Sequence, residues 1–546
     1  MSQLEETYSK TDVEKQGQQT VLFTNETNGA QELHRGLKGR HVQMISIGGV
    51  IGTGLFLGTA GALRHGGPGG LLIGYAAIGA LCYAVMVSLG EMIAHLPVAG
   101  GHITLARRFV SPGLGFAMGW NYWYNWTIVL PAELNAAAVL ISYWDKSTNA
   151  GVWIAVCLVV ACAINFGGSR AYGEAEFWFA IIKVLTIIGL IILGIVLDVG
   201  GGPNGEYIGT KYWRSPGAFV QYLGIEGATG RFLGVWAVLI QASFSYIGTE
   251  IVAIAAGETK DPRKTLPRAI KNVYIRILLF YILGVFITGL LVPSDDPRLN
   301  LGTGTAVSAP FVIAIQNAGI KALPSIINAC LLTSAWSAAS SDLYTSSRAL
   351  YGLALNGQAP AILKKTNRWG LPWVAVLVGV AFSLLSFMSV GSTSAGTVFG
   401  YFANMTSVCG LLTWSGIAFT YIHFHRGLKA QGIDRKLLPY RAPLQPFLAY
   451  FAFIFSCIIL LFQGFAVFIK GQWDTSVFIT SYFPIAFFPI LYGFYRFIWR
   501  RQERGPAPHE MDFVSGSRDE QAFSEGEPEP TAEPKSMGRK VLAYVL

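Results

Sequence analysis

The sequence is built largely from apolar runs that are long enough to cross a lipid bilayer. A helix needs about 20 residues to span the hydrocarbon core, which is roughly 30 Å thick. Apolar residues make up 52% of the 546 residues and charged residues only 13%, which excludes a disordered chain and a large soluble enzyme. We therefore predict an all-α membrane protein with twelve transmembrane helices, at approximately residues 43–63, 71–96, 113–142, 151–168, 175–198, 232–256, 273–293, 322–355, 372–390, 396–422, 446–469 and 477–498.

Polar sequence flanks the twelve predicted spans. Residues 1–42 and 501–546 are expected to be cytosolic tails with little regular structure, on either side of a membrane domain at 43–500. The N-terminal tail lacks the apolar core of a cleavable signal peptide, so the first span is expected to direct insertion. Lys and Arg concentrate in the loops that lie on the same side as both tails, which predicts that both termini are cytosolic.

Several other classes of protein lack support in the sequence. The net charge is +9, but the basic residues form no dense stripe, so no nucleic-acid partner is expected. All six cysteines lie inside apolar runs without a CxxC spacing, so neither a disulfide framework nor a metal site is expected. The chain contains no HExxH, GxSxG or P-loop motif, and we predict that it is not an enzyme and needs no cofactor.

Two of the predicted spans are interrupted by glycine-containing stretches. The first span has four glycines in the seven residues 48–54, and the sixth has the sequence SYIGTE at 245–250. Irregular backbone inside a membrane is tolerated where it lines a cavity, and interrupted helices at matching positions of two halves indicate a secondary transporter's binding site. Because the breaks are five spans apart, an odd number, a repeat of this length must be inverted in the membrane. Close packing of small residues between helices is the alternative for the first break.

The pair of breaks suits a substrate that carries both charges. Free backbone N–H groups and the positive end of the helix dipole would bind a carboxylate after the first break. Unpaired carbonyl groups on the other half-helices would accept hydrogen bonds from an ammonium group. An α-amino acid has both groups on one carbon, so it is the substrate class that this pattern favours.

Six motifs follow one another along the chain. They are GLKGRH with IGGVIGTGLF at residues 36–41 and 47–56, SLGEM at 88–92, FSYIGTE at 244–250, GETKDPRK at 257–264, SSRALY at 346–351 and LPYRAPL at 438–444. In this order they resemble the fungal amino-acid permeases of the amino acid–polyamine–organocation superfamily, over about residues 33–500. The resemblance implies a leucine-transporter-type fold, in which residues of about 43–198 and 232–422 form inverted repeats and helices 11 and 12, about 446–498, are appended. It also implies proton-driven uptake at the plasma membrane.

The resemblance assigns roles to two ionisable side chains inside the predicted spans, where such residues are functional candidates. Glu250 matches an acid that is tied to gating and proton coupling in the superfamily. Lys183 matches a lysine that takes the place of a sodium ion in proton-coupled relatives. The alternatives are a structural hydrogen bond to the backbone of the first span for Glu250 and snorkelling to the cytosolic interface for Lys183. Arg276 and Arg348 are also expected to lie near span ends and snorkel.

Three further acids lie within predicted spans. Glu133 is in the middle of the third span beside Pro131, and functional and structural roles are equally favoured for it. Asp342 lies on the eighth span, where it would contact the substrate or pair with Lys183. Glu91 is near the inner end of the second span, and we favour a structural or gating role for it.

The substrate site is expected to be lined by backbone and aromatic groups. Gly52, Thr53 and Gly54 would hold the carboxylate, and carbonyls near Ile47 and from Phe244 to Ser245 would take the ammonium. Ile247 and Gly248 belong to the same break in the sixth span. A register against superfamily relatives places Asn125 and Trp126 at substrate-facing positions and Phe244 as an aromatic gate. An aromatic belt at the membrane interface is the alternative for the tryptophans near Asn125.

The leading hypothesis is therefore a proton-coupled symporter for L-amino acids. An aromatic, neutral lining favours neutral amino acids, with proline included. The alternatives are a symporter for acidic amino acids and an amino-acid sensor with little flux. The expected partners are the amino acid, protons and the lipid bilayer. Ubiquitin-ligase adaptors would act on the cytosolic tails, where Lys10 and Lys15 are potential acceptors.

Overall fold

The structure of the chain, a computed structural model, describes residues 51–98, 100–251, 273–300, 309–367, 370–391, 394–499 and 504–515. The regular elements in these ranges are helical, as predicted for the all-α class, and no strand occurs in them. The α-helices are α1 (Thr59–His95), α2 (Gly101–Phe109), α3 (Pro112–Ile141), α4 (Ala150–Phe166), α5 (Gly168–Asp198), α6 (Gly227–Tyr246), α7 (Leu283–Leu291), α8 (Pro310–Asn317), α9 (Leu323–Leu355), α10 (Trp373–Ser383), α11 (Ala395–Ala430), α12 (Phe447–Leu461) and α13 (Thr475–Gly493). Two short π-helices, Gly54–Gly58 and Ile277–Ile282, precede α1 and α7.

Side-chain caps fix where several of these helices begin. The Ser111 hydroxyl accepts a hydrogen bond from the N–H of Leu114, and Pro112 is the first residue of α3. Asp474 caps α13 in the same way by accepting from two backbone N–H groups. A capping oxygen satisfies a backbone donor that has no acceptor within the helix, and proline costs nothing at the first helical position. The starts of these helices are therefore encoded locally.

The first two predicted spans are joined without a loop. Helix α1 contains residues 59–63 of the first predicted span and residues 71–95 of the second, and within it Gly67 leaves helical geometry, with φ 71° and ψ 176°. A Cβ atom built on Gly67 would lie 2.8 Å from the carbonyl oxygen of Ala218, so the bend requires glycine for its φ angle and for the space. The loop that we expected between the two spans is replaced by this single-residue kink.

Five described helices are long and apolar enough to cross a membrane, judged by length and composition. They are Gly54–His95, Ala171–Asp198, Val273–Leu291, Ala395–Ala430 and Thr475–Trp499. The bent pair Trp213–Gly224 and Gly227–Tyr246, at 87°, would make a sixth. Helices α3 and α9 are not among them although they have 30 and 33 residues, because their polar side chains lower their mean hydropathy. The twelve-span count and the inverted repeat stay predictions.

The packing divides the helices into an interior and a periphery. Helix α1 packs along α6, whereas α3 packs against both α9 and α11. Helices α4 and α5 lie on α9, and α12 and α13 lie on α11. The outer helices expose large apolar side chains, such as Val159 on α4, Leu185 on α5 and Ile490 on α13. Exposed apolar side chains of this kind are those expected to face lipid, so the interior helices α1, α3, α6, α9 and α11 are where a polar site can form.

Part of the C-terminal tail is ordered. Residues 504–515, the docked segment, bury Met511 and Phe513 against the ends of α2 and α11. The Phe513 ring lies 5.2 Å from that of Phe109 and 5.4 Å from that of Phe424. We expect little regular structure in this tail, and the segment contains turns but no helix or strand; it is held in place because two apolar side chains anchor it.

Candidate functional site

The two predicted helix breaks lie against each other in the centre of the bundle. Helix α6 ends at Tyr246, Ile247 is extended, and Gly248 has a φ of 93°. On the facing side, the π-helix that precedes α1 begins at Gly54. A Cβ atom on Gly54 would lie 2.8 Å from the Cα of Ser245 and 3.0 Å from Cδ1 of Phe244. The structure thus brings Gly54, Phe244 and Ser245 into contact, while Ile47 lies outside the described residues.

Polar groups of both breaks meet at this contact. In the turn that begins at Gly54, the N–H of Leu55 donates to the carbonyl oxygen of Gly52 at 3.3 Å. Ser245 bonds through its hydroxyl to the hydroxyl of Tyr75 at 2.9 Å. Ser334 of α9 donates to the carbonyl oxygen of Ile51 at 3.4 Å. The first break is therefore held by α1, α6 and α9 together.

Aromatic side chains line the side of the contact that faces α3. A Cβ atom on Gly248 would lie 3.0 Å from Cη2 of Trp126. Trp126 packs with Tyr122 and Val129, and Phe244 contacts this group and also meets the Phe399 ring edge-on at 5.7 Å. Trp126 is therefore next to the break in the sixth predicted span. The structure places Phe244 at the same break.

Ile247 and Asn125 lie on two sides of the same region. A Cβ atom on Gly410 of α11 would lie 2.4 Å from Cδ1 of Ile247, so Ile247 packs tightly on α11. Asn125 is buried, and its Oδ1 atom has no hydrogen-bond partner among the described residues. The same holds for Nε1 of Trp126 and the hydroxyl of Tyr122. Buried polar atoms are normally hydrogen-bonded, so these three have capacity for a ligand or water.

Glu133 is connected directly to the first break. Its Oε1 atom accepts a hydrogen bond from the hydroxyl of Thr53 at 2.7 Å. A Cβ atom on Gly52 would lie 4.0 Å from the same oxygen and 4.0 Å from Cβ of Ala338. The other carboxyl oxygen of Glu133 is buried without a partner in the described part of the chain. Glu133 therefore lies between the break and α9.

Lys183 is fully buried and does not snorkel. Its Nζ atom lies 3.5 Å from Oε1 of Glu176, and both side chains are at most 1% exposed. Glu176 also accepts hydrogen bonds from the hydroxyls of Ser337 and Ser341 on α9. Asp342 is close enough to interact electrostatically with both Lys183 and Glu133. The ion pair that the structure places at Lys183 is thus with Glu176, which the sequence reasoning did not single out.

A signal for Glu176 was present in the sequence. Glu176 and Lys183 are seven residues apart, which puts them two turns apart on one face of a helix. Glu176 lies at the start of the predicted fifth span, where an acid is readily taken for part of a loop. Helix α5 in fact begins at Gly168, so Glu176 lies two turns inside it.

Glu250 and Arg276 are buried on the other side of the second break. Nε1 of Trp414 donates to Oε2 of Glu250 at 3.2 Å. Arg276 is 3% exposed and donates to the hydroxyl of Thr249 at 3.2 Å, so the expectation that it snorkels is wrong. Glu250 thus lies next to the break and is hydrogen-bonded to a side chain of α11, whereas the alternative expected for it was a hydrogen bond to the backbone of the first span.

Glu91 forms a closed ion pair away from the breaks. Arg435 donates to both carboxyl oxygens, from Nε at 2.8 Å and from Nη2 at 2.7 Å. The hydroxyl of Tyr421 and the N–H of Ala442 also donate to this carboxylate, at 2.9 Å and 2.7 Å. These contacts tie the end of α1 to the loop before α12, which is the structural role favoured for Glu91.

No group of three or more His, Cys, Asp or Glu side chains in the described ranges is placed to hold a metal ion. The polar centre instead consists of two broken helices, buried carboxyl groups and one buried lysine. A family described as amino acid permease matches residues 41–504 of this chain. The chain belongs to the amino acid permease family.

Characterised relatives cover most of the permease. It is 45% identical to the dicarboxylic amino acid permease of Saccharomyces cerevisiae over 86% of this chain and 78% of the relative. It is 44% identical to the proline-specific permease of Emericella nidulans over 88% of each. The lysine-specific permease of Saccharomyces cerevisiae is 40% identical over 94% of this chain and 83% of the relative. The permease is therefore a multi-pass membrane protein of an amino acid transport family, which consists of transporters and not of enzymes.

Proposed function

We propose that this permease is a proton-coupled symporter that takes up neutral L-amino acids, proline included, across the plasma membrane. The observation that supports this most directly is the contact between the two helix breaks at Gly54 and Ser245. Backbone N–H groups of Gly52, Thr53 and Gly54 hold the substrate carboxylate. Carbonyl groups near Ile47 and from Phe244 to Ser245 accept from the ammonium group. Both termini are on the cytosolic side.

The charges near the breaks favour a neutral side chain on the substrate. Lys183 is already paired with Glu176. A second carboxylate on the substrate would need a cation, and burying a charge without a partner is costly. Trp126 and Phe244 provide an apolar surface beside the break, which suits an apolar side chain. The relatives do not distinguish the substrate classes, because they include dicarboxylic amino acid, proline-specific and lysine-specific permeases.

Proton coupling is assigned to Lys183, Glu250 and Glu133, with Asp342 beside the substrate. Each of the four is buried within the helical bundle, where an ionisable group is expensive unless it has a function or a firm partner. Glu133 bonds to Thr53 and Glu250 follows Gly248, so both acids are attached to backbone that would contact substrate. A change of charge on Glu133 would therefore act on the binding site through its hydrogen bond to Thr53. A change of charge on Glu250 would act through the turn that joins it to Gly248.

Uptake by the purified permease in sealed vesicles tests this proposal. An inwardly directed proton gradient should drive labelled proline or alanine above its external concentration, and a protonophore should abolish the accumulation. Uptake that is independent of the proton gradient would rule out proton coupling. Binding of the amino acid without any flux would favour the sensor instead.

Acidic amino acids are the second candidate substrates, favoured by the 45% identity to a dicarboxylic amino acid permease. A competition panel separates the two classes. Labelled proline uptake should be inhibited by excess neutral amino acids and little affected by glutamate or aspartate. Stronger inhibition by the two acidic amino acids than by alanine would replace the neutral class with the acidic one.

A further inference from the structure

Four buried ionisable side chains from three helices form one cluster beside the first break. Glu133 comes from α3, Glu176 and Lys183 from α5, and Asp342 from α9. Each is at most 4% exposed. Lys183 contacts Glu176 at 3.5 Å, and Asp342 interacts electrostatically with the other three. The charge on each of these four groups therefore affects the other groups in the cluster.

Within this cluster of described residues, three carboxyl groups face one ammonium group. A buried carboxylate without a counterion is strongly unfavourable, so the low-energy state of the cluster is near neutral. Neutrality is reached when one carboxyl is ionised to balance Lys183 and the other two carry protons. The cluster is thus a place where protons are bound inside the bundle.

Hydrogen bonding distinguishes the ionised carboxyl from the protonated ones. Both oxygens of Glu176 act as acceptors, Oε1 beside Lys183 and Oε2 from the hydroxyls of Ser337 and Ser341. Donors directed at both oxygens favour the charged form. In contrast, Oε2 of Glu133 and Oδ2 of Asp342 are buried without a partner among the described residues. These two oxygens are where a bound proton can be exchanged.

The surroundings of Glu176 are held firmly. The hydroxyl of Ser341 bonds to that of Tyr172 at 3.0 Å, and the Tyr172 ring stacks on Tyr344 at 3.9 Å. Tyr172 lies one turn before Glu176 on α5, whereas Ser341 and Tyr344 belong to α9. The hydroxyl groups that serve Glu176 are therefore fixed by contacts that cross the two helices.

We infer that Glu176 is a positioning residue that holds Lys183 in place, so that Glu133, together with Asp342 beside the substrate, carries the transported proton. The inference rests on the proposed proton coupling and deepens it. On one side of the membrane a hydronium ion loses a proton and becomes water, and the proton forms an O–H bond on Glu133 or Asp342. On the other side that O–H bond breaks and the proton joins a water molecule to form hydronium. No electrons are transferred. Because Thr53 donates to Glu133, the proton is bound one hydrogen bond away from the break that would hold the substrate.

The test is Glu176→Gln, which removes the charge and keeps the shape of the side chain. Glu133 or Asp342 must then stay ionised to balance Lys183, and one proton site is lost. We expect proton-driven accumulation to fall on the order of tenfold and its pH dependence to shift to more acidic pH, while exchange of labelled for unlabelled substrate continues. Glu176→Asp, which keeps the charge, should restore part of the accumulation. The control is Glu206→Gln, which removes an exposed glutamate that is paired with Lys211 and should change neither property.

Unchanged accumulation and an unchanged pH profile in Glu176→Gln would overturn the inference. If uptake by the wild-type permease is independent of the proton gradient, the proposed function itself is wrong. The two failures are therefore distinguishable. If Glu176→Gln does not reach the membrane, Glu176→Gln combined with Lys183→Met removes both charges and takes its place. The double variant should transport like Lys183→Met alone, because Glu176 acts only through Lys183. Transport that is clearly worse than that of Lys183→Met would contradict the inference.

Discussion

Glu91 and Glu176 are both buried and both paired with a basic side chain, but they are held in different ways. Glu91 receives two donors on each oxygen, from Arg435, Tyr421 and Ala442, at 2.7–2.9 Å. Glu176 meets a lysine at 3.5 Å, and two other carboxyl groups nearby each have an oxygen without a described partner. Arginine offers a rigid pair of donors, whereas lysine is a single flexible charge.

The difference teaches how to distinguish a fixed ion pair from an adjustable one. Every hydrogen-bonding position on the Glu91 carboxylate is filled by protein, so its charge has no reason to change. The cluster at Glu176 has more acids than bases, and protons must make up the difference. The first pair should therefore matter for folding and the second for transport.

The largest expected effect is on stability at Glu91. Glu91→Gln leaves the charge of Arg435 without its counterion, and breaking a buried ion pair in this way costs about 3–5 kcal/mol. We expect little of this variant to reach the surface and its thermal unfolding temperature in detergent to fall. Glu510→Gln, at an exposed position, serves as the control. A Glu91→Gln variant as stable as wild type would remove the distinction between the two pairs.

The next effect is on coupling at Lys183. We expect Lys183→Ala to reach the membrane and to exchange labelled for unlabelled amino acid, because the breaks that hold the substrate are unchanged. It should no longer concentrate substrate against its gradient, since the charge that the nearby carboxyls balance is gone. Vesicles with and without an imposed proton gradient provide the measurement. Continued accumulation that a protonophore collapses would make Lys183 a structural residue like Arg435.

Gly54 tests whether the contact between the breaks matters apart from the charges. The Cβ atom in Gly54→Ala would lie 2.8 Å from the Cα of Ser245, so the two backbones must separate. We expect uptake to fall on the order of a hundredfold, since displacements of about 1 Å at a binding site have effects of this size. Gly189→Ala is the matched control, because its Cβ meets nothing within 4 Å on the exposed face of α5. Equal uptake by the two variants would place the substrate elsewhere.

The smallest effect is expected at the docked segment, outside the membrane. Burial alone would raise the pKa of Asp512, but the N–H groups of Ser515 and Val514 and the charge of Arg108 outweigh it and hold the pKa at about 2. The contribution of Asp512 to stability is fully present above its unfolded pKa of about 3.9 and is lost only as the pH falls towards the lower value.

Asp512→Asn should therefore lower stability by a small amount, less than about 1 kcal/mol for a half-exposed pair. This decrement should be the same at any pH between roughly 5 and 7.5, since the pKa of the native carboxyl lies far below that range. Thermal unfolding of both proteins across the range provides the measurement. A decrement that changes with pH would mean that the docked segment, like the Glu176 cluster, responds to protons.

Apolar runs were sufficient to predict most helix positions, because a membrane helix is defined by its own sequence. The predicted third and eighth spans, 113–142 and 322–355, match α3 and α9 to within a few residues. The breaks at Gly54 and Gly248 were also found, since glycine is costly in a helix and conspicuous in an apolar run. That Gly54 touches Ser245 follows from the pairing of the two breaks.

Contacts that depend on how helices are rotated could not be predicted in the same way. The pairing of Lys183 with Glu176 requires the length of α5 and its orientation towards α9, neither of which hydropathy encodes. Arg276 is buried and donates to Thr249, a contact that hydropathy does not encode either. The docking of Met511 and Phe513 rests on two apolar residues in a polar tail, which form no periodic pattern.

The docked segment also fixes the point from which the chain continues after Ser515. Arg108 holds the carboxylate of Asp512 at 2.6 Å and the carbonyl of Ser515 at 2.7 Å, so residues 516–546 begin from a defined point beside α2 and α11. The chain after Ser515 therefore leaves the helical bundle at the face where α2 and α11 end, and a substitution that releases Asp512 from Arg108 would free this exit point.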